Sequence, residues 1–163
     1  MKEHMGTTRR LAREAALQAL YSLDTKEDWS QSTIQEFVHH FLRNNLAEKN
    51  PSLIHLERDD QIQFCEHIIL GVTNHLSEID NIIEEAATRW TVDRMARIDR
   101  NILRMGVFEL LFCSDIPSKV AINEAIEIAK RFGAHDSPNF INGVLDRVMK
   151  VMREREDEKT GSG

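Results

Sequence analysis

Two cysteines, three prolines and seven glycines in 163 residues exclude several classes of protein. Two cysteines are too few for a Cys-rich zinc site. Cys65 and Cys113 both fall on apolar helical faces, as small buried hydrophobes of a reducing cytosol do. The glycines are isolated, so no Gly-x-Gly-x-x-Gly or Walker loop exists to cradle a phosphate. Excess positive charge is missing too. The formal net charge is −6, which argues against a general nucleic-acid coat. Any such contact has to come from a local basic patch. No apolar run approaches the roughly 18–20 residues of a membrane span. The basic N-terminus is not followed by the apolar stretch of a signal peptide, and a cytoplasmic protein is expected.

Catalytic patterns are also lacking. There is no His-Glu-x-x-His and no Gly-x-Ser-x-Gly. Cys65 and His67 are two apart and do not share a helical face, and neighbouring His39 and His40 diverge likewise. Glu84 and Glu85 lie on a solvated face. The expectation is a protein without enzymatic activity, metal or cofactor.

With 41% hydrophobic and 29% charged residues, the composition is globular and helix-leaning. The most apolar stretch is Arg97 to Cys113, where Ile98, Ile102, Met105, Phe108 and Phe112 recur at helical spacing. Leu103, Val107, Leu110 and Leu111 fill much of the remaining circumference, so this helix belongs at the centre of a bundle. Arg97, Arg100 and Arg104 form a charged stripe that must reach solvent or a partner.

The other segments supply the surrounding helices. Thr8 caps a helix from Arg9 to about Leu23, with Ala12, Ala16, Leu20 and Leu23 inward. Thr33 and Glu36 form a capping box for a second helix ending near Ala47. Asn50 and Pro51 break it, and Leu53, Ile54 and Leu56 tuck the connection onto the core. Asp60 to about Thr88 reads as the longest helix, with a heptad-like seam through Ile62, Cys65, Ile69, Val72, Leu76, Ile79, Ile83 and Ala86. The seam suits an intramolecular bundle and, alternatively, a homodimer. After Pro117, Ser118 caps a helix to Phe132 buried through Ile122, Ala125, Ile126, Ala129 and Phe132, and Gly133 takes a left-handed C′ position. Ser137-Pro138 starts the last helix, which runs to about Glu154. The reading is an all-α bundle of about seven helices. It forms one domain over residues 9–154, with a flexible N-terminus (1–8) and a disordered tail (155–163).

Two polar groups stand out. Arg9, Arg10 and Arg13 cluster where the first helix begins, opposing the macrodipole. They are either an anion site or a solvated basic face. Lys119, Asn123, Ser137, Asn139, Asn142 and Phe140 gather at the last two helix starts. Phe140 is either a platform for an unpaired base or a core edge.

Arg9-Arg10-Leu11-Ala12-Arg13-Glu14 with Leu17-Gln18-Ala19-Leu20-Tyr21 resembles the N-terminal helix of the NusB family. Val120-Ala121-Ile122-Asn123-Glu124-Ala125-Ile126-Glu127-Ile128-Ala129-Lys130-Arg131-Phe132-Gly133 and Phe140-Ile141-Asn142-Gly143-Val144-Leu145-Asp146 resemble its C-terminal signature. Asp99-Arg100-Asn101-Ile102-Leu103-Arg104 and Asp115-Ile116-Pro117 match in between, and the resemblance covers about residues 9–149. It implies two small helical bundles packed together, with no enzymatic activity. It implies a heterodimer with NusE, a small-subunit ribosomal protein, that binds the single-stranded boxA element of nascent ribosomal RNA within the transcription elongation complex and supports antitermination. Arg9, Arg10 and Arg13 would then meet boxA phosphates, completed by Lys119, Ser137, Asn139 and Phe140. Tyr21, Asp93 and Asp99 would face NusE. Leu11 stands where family members often carry another Arg, which weakens the cluster. Two alternatives are a homodimeric helical interaction module and an RNA-targeting domain like that of ribosomal-RNA cytosine methyltransferases. The latter continue into a catalytic domain, whereas this sequence stops at Gly163.

Overall fold

The computed structural model describes residues 2–49 and 56–161. Their order is α1 (Lys2–Lys26), α2 (Gln31–Lys49), α3 (Leu56–Asn74), α4 (Leu76–Ala87), a 3₁₀ turn (Val92–Arg94), α5 (Arg97–Phe112), α6 (Ser118–Phe132) and α7 (Ser137–Gly161). No strand occurs among the described residues. The chain divides into two compact units, residues 1–74 and 75–163.

The first unit is built on α1, which packs against α2 and α3. Ala12, Ala16, Leu17, Ala19, Leu20 and Leu23 are buried, so the expected inward face is found. From α2 and α3 come Ile34, Val38, Leu42, Cys65, Ile68, Ile69 and Val72. Both helix starts differ from the sequence reading. α1 begins at Lys2, so Thr8 is an interior residue and Arg9, Arg10 and Arg13 do not sit in a first turn. The macrodipole cost expected of them therefore lapses. Thr33 lies inside α2 instead of capping it. Its hydroxyl donates to Asp28 Oδ2 at 2.8 Å and accepts from Ser30 Oγ at 2.8 Å. The Ser30 N–H donates to Asp28 Oδ1 at 3.0 Å. The turn is thus locked by Asp28, whose carboxyl these Ser30 and Thr33 bonds hold below its usual value. The expectation for Leu53 and Ile54 lies outside the described residues.

The second unit is organised by α5, against which α4, α6 and α7 all pack. Nine consecutive residues, Asn101 to Glu109, are buried, as the all-round apolar pattern requires. Each large apolar side chain fully withdrawn from water there contributes about 1.5–3 kcal/mol. Phe112, assigned to the buried face, is instead exposed and stacks on His75 at 4.2 Å between centroids. Arg104 does not reach solvent. It is 5% exposed and its partner is within the unit. Nε and Nη2 donate to the two Asp80 carboxylate oxygens at 2.8 and 3.0 Å, and Nη1 donates to Asn101 Oδ1 at 3.0 Å.

Three further expectations are corrected. The single helix expected over 60–88 is two, separated at His75, whose φ/ψ of −121°/25° leaves the helical region. Within each helix the repeat buries Cys65, Ile69 and Val72 on α3 and Ile79, Ile83 and Ala86 on α4. On α6 the buried residues are Ala121, Ala125, Ile128 and Ala129, with Ile122, Ile126 and Phe132 only half-buried. Gly133 is extended (φ −88°, ψ −177°), not left-handed. Its role is steric: a Cβ there would lie 2.6 Å from Ser137 Cβ and 2.8 Å from the Ala129 carbonyl oxygen.

Candidate nucleic-acid interface

In the first unit the arginine cluster is split by the helix period. Arg9 and Arg13 lie four apart on α1 and share one ring. Their guanidinium carbons stand 5.0 and 5.2 Å from the Phe64 centroid on α3. Such cation–π contacts contribute about 0.5–2 kcal/mol, rising with desolvation. Arg13 is 2% exposed, so its side chain lies in the interior and not on the surface with Arg9 and Arg10. Arg9 and Arg10 are exposed and carry the basic surface. Phe64 was not singled out in the sequence because it lies off the α3 seam. Tyr21, on the same helix, is 38% exposed.

In the second unit Lys119 is exposed at the second residue of α6. Asn139 is exposed in the first turn of α7 and Phe140 beside it is half-buried. Ser137 is 1% exposed, so its side chain is buried beneath this surface. Its Oγ accepts the Ala134 N–H at 2.9 Å, and its hydroxyl also bonds Asp99. Asp99 is half-buried, and its Oδ1 is buried with no hydrogen-bond partner. Burial raises the Asp99 carboxyl above its usual value, the Ser137 bond lowers it, and neighbouring Asp136 raises it again. Asp99 therefore couples the α5 start to the α7 start, and less of it faces outward than expected. Asp93, in the 3₁₀ turn, is exposed.

Phe140 and Asn139 line a groove of about 410 Å³ with Arg89, Trp90, Gly143 and Arg147. Sequence reading passed over Trp90, Arg89 and Arg147 because they sit on no periodic face. An aromatic residue in a short polar connection was the available signal.

A model of the NusB family matches residues 10–150. The chain belongs to the NusB family. The transcription antitermination protein NusB of Geobacter sp. strain M21 is 43% identical over 150 residues, covering 92% of this chain and 99% of that protein. Among solved structures, T. maritima NusB superposes with a TM-score of 0.70 at 34% identity, over 87% of this chain and 90% of that one. A chain of the crystal structure of antitermination factors NusB and NusE in complex with double-stranded RNA superposes with a TM-score of 0.72 at 26% identity, over 89% and 98%. The NusB family accounts for the all-helical architecture and for both sequence signatures. Among the described residues no helix is long and apolar enough to cross a membrane, and no cluster of His, Cys, Asp and Glu could hold a metal.

Proposed function

We propose that this NusB-family chain is a non-enzymatic transcription antitermination factor. It binds boxA of nascent ribosomal RNA together with NusE, as part of the elongation complex in the cytoplasm. The observation that carries the reading is family membership over residues 10–150, joined to a helix that presents Arg9 and Arg10 to solvent. Each unit contributes its own patch: Arg9 and Arg10 from the first, Lys119, Asn139 and Phe140 from the second. Tyr21 and Asp93 face NusE. Arg13, Ser137 and the inner part of Asp99 act behind these patches, holding the helices that display them. The physics is consistent with a partner. A chain of net charge −6 repels phosphates at long range, and a basic partner offsets that field.

The test separates the arginines. With NusE present, an R9A/R10A double variant is expected to bind a short boxA RNA at least tenfold more weakly, while its urea midpoint falls only slightly through loss of the exposed Arg9–Phe64 contact. R13A is expected to lower the urea midpoint first. Unchanged RNA affinity in R9A/R10A would contradict the assignment.

A further inference from the structure

We infer that the groove around Trp90 in the second unit is a nucleotide subsite. It holds one unpaired RNA base on the Trp90 ring and the adjoining phosphate at Arg89 and Arg147. This rests on the RNA-binding reading above and extends it to three residues outside both family signatures.

The groove is open at about 410 Å³, room for one stacked base and its ribose. Trp90 is 50% exposed, an unusual cost for an indole unless something covers it. Its place is fixed from both sides. Thr88, with φ of 50°, turns the chain sharply out of α4. Beyond Trp90, the Val92 N–H donates to Glu84 Oε1 at 3.0 Å. The connection is therefore held in shape before any ligand arrives, which lowers the ordering cost of binding.

Charge selects the ligand. Arg89 and Arg147 line the groove and no carboxylate does. Arg147 donates through Nη1 to the Ala86 carbonyl at 3.3 Å, which anchors the guanidinium at the rim and uses one of its five N–H donors. Asn139 adds an amide able to read a base edge, and Phe140 a second apolar wall. Gly143 keeps the floor low, since a Cβ there would meet nothing within 4 Å. Cations beside an aromatic face and an amide suit a single-stranded nucleotide.

The experiment uses the whole chain with NusE and a short boxA RNA. Trp29 is the other tryptophan, so a W29F background leaves Trp90 as the sole indole reporter. RNA is expected to quench its fluorescence, with the same midpoint as binding followed by anisotropy. W90A is expected to weaken binding about tenfold to a hundredfold, the span of a lost base–aromatic stack. It should leave the salt slope unchanged, whereas R89A/R147A should make that slope shallower by about 0.7, the share of one phosphate on a single strand. W90F should retain most of the affinity. G143L, whose Cβ would meet nothing within 4 Å, projects a side chain into the groove and should weaken binding as W90A does without lowering the urea midpoint. If wild type binds but Trp90 is not quenched and G143L binds equally well, the subsite is overturned and the general RNA-binding reading survives. If wild type with NusE binds no RNA, both fall.

Discussion

Arg104 is the residue on which the second unit's interior depends most. Its guanidinium is buried with both Asp80 oxygens and Asn101 around it, so neither Arg104 nor Asp80 can lose its partner cheaply. Breaking such a pair from one side costs about 3–5 kcal/mol, because a buried charge is left behind. D80A, which leaves the buried Arg104 behind, should lower the unfolding free energy by about that amount in urea titration, and R104A by less, because the Asp80 side chain is 24% exposed and water can reach it. R104A combined with D80A should cost much less than the two single changes added. Full additivity would show that the pair is not coupled. The sequence placed Arg104 on a stripe with Arg97 and Arg100, and no spacing rule could reveal a partner 24 residues earlier.

Asp99 makes the opposite case. Burial raises its carboxyl above the ordinary value, so the folded state holds the proton more tightly than the unfolded chain. Its stabilising contribution is complete below the unfolded value and is lost as pH rises through the folded one. At pH 7 the buried carboxylate is a net cost. D99N should therefore raise the urea midpoint at pH 7, with the advantage over wild type shrinking as pH falls toward 4. A variant less stable at pH 7 would mean that the Ser137 bond to the charged form dominates instead.

At the scale of elements, hydrophobic period was a dependable guide and punctuation was not. α5 and α7 were legible because their inward residues are large and regularly spaced. The break at His75 was not, since no Pro or Gly marks it and the seam runs on across it. The α1 start was missed because Thr8 satisfies a capping rule that the helix does not use. Gly133 shows how a correct position can carry the wrong reason. Its backbone is one that any residue adopts, and the constraint comes from Ser137 and the Ala129 carbonyl. G133A should then cost about 1–3 kcal/mol by overpacking, read in thermal or urea unfolding. A neutral result would mean that the α6–α7 turn can shift outward at no cost. The residues proposed for the site can be judged only by where they lie. Lys119, Asn139 and Phe140 stood out as polar or aromatic residues at helix starts, and Arg9 and Arg10 as a basic pair that lies within α1. The burial of Arg13 and Ser137 was not, because it depends on Phe64 and Ala134 folding back upon them.

For the whole molecule, two compact units each display a small basic or aromatic patch on a chain of net charge −6. Neither patch is large, and long-range electrostatics oppose RNA, so affinity should depend on NusE and fall with salt. Binding of a short boxA RNA, with and without NusE across a salt series, tests this most directly. The account predicts weak binding alone, marked tightening with NusE, and a linear fall of log affinity with log salt, about 0.7 per phosphate neutralised on a single strand. Absence of RNA binding with NusE present, or equal binding of a scrambled RNA, would contradict it.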